Sequence, residues 1–345
     1  MQIKTVSIVA AGALVLALAA NSASNNNQPV EAAIQNGAQW IASVQGHDGG
    51  WGQDGGETSY VRQNERLETN GNDVANTAVA ALALRRAGSQ YQPNVERALA
   101  YILREVENSP ADGLRITNHN GTQIQRKLGP YIDTFLTSML LSEVDGQMPK
   151  AAENARVRKA LEKCVAKIQA NQQHDGSWNI GGGWAPILGT SMASRSLYEA
   201  QKKGVQVNAA AMTLAENYTK QAASSGTPAS AGVALYQSAQ ALEQLSRTAN
   251  DRAANAVEIS AITSQLKDAK FVNGYGSIGG EEFFSYLNVS DGLRRAGGEE
   301  WNKWHTDITA RILKLQNQDG TWAGSHCITG RVAVTSAAIL NLAVK

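Results

Sequence analysis

QNQDGTW, at residues 316–322, is the third copy of a seven-residue pattern in this chain. The earlier copies are QGHDGGW at 45–51 and QQHDGSW at 172–178. All three fit Q-x-x-D-G-x-W, and each follows a stretch with helical patterning. Four fixed positions that recur in this way indicate a fold built from repeated helical units.

Each copy has the composition of a helix end. The Gln closes an amphipathic helix, and the Asp-Gly that follows supplies the left-handed turn that terminates helices. The Gln amide can satisfy free carbonyl groups at helix ends, and the Trp can shield that contact from water. We therefore interpret six residues as structural: Gln45, Trp51, Gln172, Trp178, Gln316 and Trp322.

Two kinds of helical pattern alternate along the rest of the chain. Amphipathic stretches cover roughly 29–45, 94–107, 153–172, 207–222, 252–268 and 300–316. Ala-rich stretches that are apolar on nearly all sides begin near Asp73, Ile132, Gly189, Ala229, Phe283 and Arg331. A helix that is apolar all round is buried all round. Six inner helices ringed by six outer helices predict an all-α fold, the (α/α)6 toroid or double barrel.

The N-terminus has the layout of a secretory signal peptide. Lys4 precedes an apolar run from Val6 to Ala20, and small and polar residues follow. The run is shorter than the roughly 20 residues of a membrane span. We expect a signal peptide at 1–23, export to the periplasm or the medium, and no transmembrane segment after cleavage. Residues 24–345 then form a single toroid domain, because a closed ring of helical hairpins uses the whole chain.

Composition limits the partners. The 345 residues carry a formal net charge of +1, with 43% hydrophobic and 18% charged residues, so nucleic acid is not an expected partner. Cys164 and Cys327 have no spacing that brings them together, and we predict two free thiols. Two long polar segments are predicted to be irregular: 52–71 as a loop over one mouth of the toroid, and 109–129 as a similar loop with a short hairpin.

The three repeats and the alternating inner helices resemble the squalene cyclase and protein prenyltransferase superfamily of α/α toroids. The resemblance covers nearly all of the chain after the signal peptide. It implies the toroid fold, and it is compatible with terpenoid cyclases, zinc prenyltransferases and thioester proteins. Fold alone does not choose between these activities.

The motifs of the cyclases are missing. They use D-x-D-D, because protonating an alkene demands an unusually strong acid, and this chain contains neither D-x-D-D nor the metal-binding D-D-x-x-D. The nearest acidic residues are Asp73 and Asp133, each alone at the start of an inner helix. An Asp in that place is often an N-cap.

The other chemistries of the superfamily are also unsupported. The prenyltransferase pattern D-x-x-H-T-C falls on Arg331, Val334, Thr335 and Ser336, so that Val334 stands where the zinc-binding His is expected. Zinc needs three or four converging ligands, and the sequence offers no such set. Cys327 lacks the C-G-E-Q context of a thioester. We therefore expect no metal and no cofactor.

SHCITGR, at 325–331, directly precedes the last inner helix. The N-termini of inner helices converge at one mouth of such a toroid, so this loop is expected to line it. His326 and Cys327 could act as a nucleophile, a metal pair or a stabilised thiolate, or the loop could be purely structural. Helix N-termini and Arg331 favour anionic groups, and Asp73 and Asp133 partly cancel that effect.

Two hypotheses follow. In the first, the chain is an exported protein that binds an apolar or amphiphilic, isoprenoid-like molecule or a peptide at this mouth, without the catalysis of the family. The ligand-binding candidates are His326, Cys327, Arg331, Tyr131, Phe284 and Tyr286. In the second, it is an enzyme of the terpenoid cyclase or transferase kind that uses an unrecognised acid. Its catalytic candidates are Asp73, Asp133 and Cys327.

Overall fold

The computed structural model describes residues 28–54, 71–180, 186–224, 231–274 and 278–344. These residues form helices joined by turns and loops, with no β-strand among them, which confirms the predicted all-α class. The predicted signal peptide at 1–23 and most of the predicted loop at 52–71 lie outside the described residues.

The apolar stretches form a ring of inner helices. They are α2 (Val74–Ala87), α5 (Ile132–Val144), α7 (Pro186–Lys202), α9 (Ala231–Leu245), α13 (Gly280–Ala296) and α15 (Arg331–Leu342). Each of these helices packs against the next one in the chain, and α15 packs against α2, so the contacts close on themselves. In α2 every residue except Arg85 and Arg86 is buried, as expected for a helix that is surrounded on all sides.

The amphipathic stretches form the outer layer. They are α1 (28–43), α3 (Gln92–Asn108), α6 (Ala151–Ala170), α8 (Ala209–Ser224) and α14 (Gly298–Lys314). Helices α3, α6, α8 and α14 pack on α2, α5, α9 and α13, respectively. The polar faces of the outer helices point to solvent and their apolar faces cover the ring.

The predicted outer helix at 252–268 is instead divided into α10 (Ala249–Ala254), α11 (Ala256–Gln265) and α12 (Ala269–Val272). Asn255 lies at the first break, between α10 and α11, and its side chain donates to the Asp251 carbonyl. Asp268 starts α12 by accepting from the Lys270 amide. Asn and Asp compete for local backbone groups in this way and end helices. Because this outer position is not one helix, the total of six inner and six outer helices stays a prediction.

The hairpin predicted within 109–129 is wrong. No strand occurs in these described residues, and the segment contains the short helix α4 (Gln123–Leu128). A capping box starts α4: Thr122 accepts from the Gln125 amide, and the Gln125 side chain accepts from the Thr122 amide. Helix α4 contacts α2, α5 and α7.

The Gln of each repeat joins two outer helices. Its Nε2 donates to the Gly carbonyl of its own turn and to a carbonyl near the start of another outer helix. The pairs of acceptors are Gly49 and Asn94 for Gln45 (2.8 and 2.9 Å), Gly176 and Ala211 for Gln172 (3.0 and 2.9 Å), and Gly320 and Ala33 for Gln316 (2.9 and 2.9 Å). The bond from Gln316 to Ala33 closes the outer layer between residues 283 positions apart.

The Trp of each repeat joins the preceding outer helix to the following inner helix. Its indole Nε1 donates to a carbonyl in the last turns of the outer helix: Ile41 (2.8 Å), Ile168 (2.7 Å) and Ile312 (2.7 Å). Its backbone amide donates to a Thr hydroxyl of the inner helix: Thr77 (2.9 Å), Thr190 (3.1 Å) and Thr335 (2.9 Å). All three Trp side chains are buried. Their indole groups therefore combine apolar packing with a satisfied donor.

The turn glycines of the repeats permit a close approach between outer helices. Gly176 has a φ of 91°, and a Cβ there would lie 2.2 Å from the Leu214 carbonyl oxygen. Gly49, with a φ of 93°, approaches the Arg97 carbonyl in the same way. A left-handed turn without a side chain is therefore required at these positions.

We expect Gln316→Ala to lower the free energy of unfolding by about 1 to 3 kcal/mol, because it removes the side-chain donor to the carbonyls of Ala33 and Gly320. Urea denaturation measures this change. Gln318→Ala is the matched control, since Gln318 is exposed in the same turn, and we expect it to shift the value by less than about 0.5 kcal/mol. Equal effects of the two variants would contradict the structural role of the repeat.

Candidate functional site

Helix α4 brings the predicted acidic residues and the SHCITGR loop to the same end of the ring. Gln125 Nε2 donates to Asp133 Oδ2 at 2.7 Å. Gln123 Oε1 accepts from the amides of Thr329 (3.0 Å) and Gly330 (3.2 Å). The starts of α2, α5, α7 and α15 thus meet around α4, at an opening that we call the mouth.

Asp73 and Asp133 both cap α2. Asp73 is the N-cap residue of α2, where its Oδ1 accepts from the Asn76 amide (2.8 Å) and its Oδ2 from the Asn76 side chain (2.7 Å). Asp133 lies in the first turn of α5, but its Oδ1 accepts from the Ala75 amide of α2 at 3.1 Å. The two carboxyl groups therefore share the task of satisfying one helix N-terminus.

Both carboxyl groups are weak acids. Burial raises the pKa of Asp73 to about 6, although hydrogen bonds from Asn76 oppose the shift. Burial, followed by repulsion from Asp73, raises the pKa of Asp133 to about 7. Protonating an alkene requires an acid much stronger than an ordinary carboxylic acid. Burial makes this pair weaker acids than an ordinary carboxylic acid, which is the opposite of what protonating an alkene requires.

The raised pKa values predict that stability falls as pH rises through about 4 to 7, because the folded chain holds protons that the unfolded chain has released. Asp133→Asn removes one titrating group and keeps an oxygen for the Ala75 amide. We expect it to make the slope of unfolding free energy against pH shallower by about 1 kcal/mol per pH unit. Urea melts at several pH values measure the slope. An unchanged slope would show that Asp133 does not titrate in this range.

The SHCITGR loop is tied to the start of α13. Ser325 donates from its amide to the Ile278 carbonyl (3.0 Å), and Gly280 donates to the Ile328 carbonyl (2.9 Å). The Ile328 amide donates to Glu281 Oε2 at 3.1 Å. The loop is therefore fixed on one side by α13 and on the other by Gln123 of α4.

Arg331 forms ion pairs within the protein. Its backbone amide and Nε both donate to Asp54 Oδ1 at 3.1 Å, and its Nη1 donates to Asp319 Oδ2 at 3.2 Å. Its guanidinium lies 4.9 Å from the centre of a Trp40 ring. These contacts pair the Arg331 charge within the protein, and a role of Arg331 in ligand binding stays a prediction.

Glu281, His326 and Cys327 converge at the mouth. Their potential metal-ligating atoms all lie within 4.8 Å of one another. Glu281 is fully buried, whereas His326 and Cys327 are partly exposed. Cys327 has a φ of 58°, a left-handed conformation that is uncommon for a residue with a side chain. Burial and then the charge of Glu281 raise the pKa of the Cys327 thiol to about 11.

Glu281 was not predicted from the sequence. The available signal was the pair of acidic residues at 281–282, at the start of a stretch otherwise apolar, but nothing in the sequence placed it beside His326 and Cys327. Glu282 is also fully buried, and its oxygens accept from the Tyr236 hydroxyl (3.0 Å) and the Gly279 amide (2.9 Å).

Buried carboxyl groups lie at the helix N-termini of the mouth, where the sequence predicted a preference for anions that Asp73 and Asp133 partly cancel. Asp73 and Asp133 occupy the N-terminus of α2, and Glu281 and Glu282 lie in the first turn of α13. Carboxyl groups of the protein thus occupy the positions at helix N-termini where an anionic ligand could bind.

The three aromatic candidates lie in different surroundings. Tyr286 donates its hydroxyl to the Val272 carbonyl (2.8 Å), and its ring centre lies 6.0 Å from that of Trp304, so it faces the outer layer. Phe284 is buried. Tyr131 is partly exposed and lies 5.5 Å from the Arg115 guanidinium. Tyr131 is thus the aromatic candidate with exposed surface, and the ligand-binding roles of all three stay predictions.

Polar groups occupy part of the ring towards the C-terminal ends of the inner helices. Arg195 of α7 pairs with Asp291 of α13 and donates to Asn288 at 3.1 Å. A cavity of about 50 Å³ remains beside them, lined in part by Leu82, Met139 and Leu340. This volume accommodates water molecules and is too small for a large hydrocarbon.

Both cysteines are free thiols, as predicted. Cys164 is buried in α6, and burial raises its pKa to about 12. Its buried position protects the thiol from reagents.

The family model of the squalene-hopene cyclase C-terminal domain matches residues 8–127. A squalene–hopene cyclase of Bradyrhizobium diazoefficiens is 39% identical over 70 residues, which are 20% of this chain and 10% of that protein. The matched segment thus spans about a tenth of the relative's length. No solved structure matches.

Among the described residues, no helix combines the length and the apolar character needed to cross a membrane. The family match contains the first Q-x-x-D-G-x-W repeat, at 45–51. The two sequence matches support membership of the squalene cyclase-like superfamily.

Proposed function

We propose that this chain is an exported binding protein, which holds an apolar or amphiphilic, isoprenoid-like molecule or a peptide at the mouth. It does so without cyclising its ligand. The observation that carries the proposal is the use of Asp73 and Asp133 as caps of α2, where burial makes both carboxyl groups weak acids. The acidic candidates of the sequence thus support the helix and are unsuited to protonating an alkene.

The loop at 325–331 supports a binding role. Hydrogen bonds to Ile278, Glu281 and Gln123 hold its backbone in place, while His326 and Cys327 keep part of their surface exposed. A binding surface that is ordered before the ligand arrives avoids the entropic cost of ordering it on binding. Tyr131 adds partly exposed aromatic surface at the start of α5.

The charge of the mouth limits the ligand. Four buried carboxyl groups, of Asp73, Asp133, Glu281 and Glu282, lie at the starts of α2, α5 and α13. Burial raises the pKa of all four groups, so a phosphate or carboxylate would meet like charges there once the pH exceeds those values. The polar end of the ligand is therefore neutral or cationic, and an isoprenoid alcohol fits better than its diphosphate.

Export rests on the N-terminal sequence. Lys4 and the apolar run from Val6 to Ala20 have the order of a signal peptide. A ligand-binding protein without a membrane-spanning helix in its described part would then act in the periplasm or outside the cell.

Binding can be measured with farnesol and farnesyl diphosphate as probes, by the change in Trp fluorescence of the full mature chain. We expect saturable binding of farnesol, binding of the diphosphate at least about tenfold weaker, and a loss of about three- to tenfold in His326→Ala. His47→Ala is the control, because His47 is exposed in the first repeat turn. If neither probe binds, or if both variants weaken binding equally, the proposed site is wrong.

The alternative function is that of a terpenoid cyclase. Two observations support it: the match to squalene-hopene cyclase and the buried carboxyl pair. Incubation with squalene, followed by mass spectrometry of the lipid extract, tests it. We expect no cyclic product. A product that disappears in Asp133→Asn but persists in the surface control Asp307→Asn would overturn the proposal and establish an enzyme.

A further inference from the structure

We propose that Glu281, His326 and Cys327 form a binding site for a divalent transition metal ion, with zinc as the best match. The site goes beyond the proposed ligand binding, because the three side chains can hold an ion whether or not an organic molecule occupies the mouth. It also differs from the prenyltransferase pattern, whose His position is Val334 in this chain.

The distances suit a metal ion. The carboxylate, imidazole and thiol atoms all lie within 4.8 Å of one another. Ligand atoms bound to one tetrahedral zinc ion, at about 2.0 to 2.3 Å from the metal, are about 3.3 to 3.8 Å apart. A contraction of about 1 Å would therefore assemble the site.

The Glu281 carboxylate has an oxygen to offer. Its Oε2 accepts from the Ile328 amide, whereas Oε1 is buried and accepts no hydrogen bond in the described chain. The nearby Cys327 thiol interacts with this carboxylate but is only a weak donor. A buried carboxylate oxygen without a strong partner is unfavourable, and a bound cation would provide that partner.

The surrounding residues hold the three ligands in place. The oxygens of Glu282 are already bonded to Tyr236 and Gly279, which fixes the start of α13 next to the site. A Cβ on Gly279 would lie 2.7 Å from the His326 ring, so glycine is needed at this position for the imidazole to approach. The site is thus built by close packing of the 325–331 loop on α13.

The ligand types identify the ion. Thiolate and imidazole favour zinc and related transition metals, whereas magnesium and calcium prefer oxygen ligands. The Cys327 thiol transfers its proton to solvent when the metal binds. Three protein ligands leave one coordination position open, and the partial exposure of His326 and Cys327 gives the ion access from solvent.

Cobalt provides a direct test, because Co²⁺ bound to a thiolate has a charge-transfer absorption band. We expect the reduced, metal-free mature chain to bind one equivalent of Co²⁺ with this band, and Zn²⁺ to displace it. Cys327→Ser should abolish the band. His326→Ala and Glu281→Gln should each weaken binding by about tenfold or more, and Gln keeps an oxygen for the Ile328 amide.

Two controls separate the site from adventitious binding. Cys164→Ala removes the other thiol. His47→Ala removes an exposed imidazole that is distant in sequence from the proposed site. Both variants should leave the absorption band unchanged. Circular dichroism verifies that each variant is folded. A folded wild-type chain without saturable Co²⁺ absorption, or a Cys327→Ser variant that retains the band, would overturn the proposal.

Thiol alkylation tests the same site without any substitution. Cys327 is partly exposed and Cys164 is buried, so iodoacetamide should modify Cys327 in the folded chain. We expect Zn²⁺ to slow this modification by at least about tenfold, as read by peptide mass spectrometry, whereas Mg²⁺ should have no effect. Equal rates with and without Zn²⁺ would refute the site. Farnesol binding to metal-free protein is measured separately, so the failure of one proposal is distinguishable from that of the other.

Discussion

The side-chain amide of Gln316 donates one hydrogen bond within its own turn and a second to the Ala33 carbonyl of α1. The second bond closes the outer layer. The same bonds recur at Gln45 and Gln172, and in every copy a buried Trp links the turn to an inner helix. A ring of helices has many ends, and each end leaves backbone groups without partners. The repeats satisfy some of these groups with side chains that also join neighbouring hairpins.

The chemistry of the mouth follows from the same need. The free amides at the start of α2 are satisfied by Asp73 and Asp133, and Glu281 accepts from the loop that leads into α15. These carboxyl groups are buried, so burial raises the pKa of each of them. Groups used in this way give the mouth hydrogen-bond acceptors, and they add negative charge where the pH exceeds their raised pKa values. They suit the binding of cations and neutral polar groups better than strong-acid catalysis.

The sequence was sufficient for features that repeat or are periodic. The Ala-rich stretches that are apolar on nearly all sides located α2 and α15, and the Q-x-x-D-G-x-W pattern located the three joints between helices. Helix α4 was missed although its capping box, Thr122 and Gln125, can be read from the sequence, because the segment is polar and short. The break at Asn255 depends on local competition for backbone groups. Glu281 was missed because its proximity to Cys327 arises only from tertiary packing.

Helix α4 makes the opening of the ring asymmetric. It rests on α2, α5 and α7, and its Gln123 reaches the residues just before α15. The surface next to α13, where His326 and Cys327 retain exposure, is not covered by these contacts. In the described part of the chain, the α13 side of the opening is therefore the side from which solvent reaches His326 and Cys327.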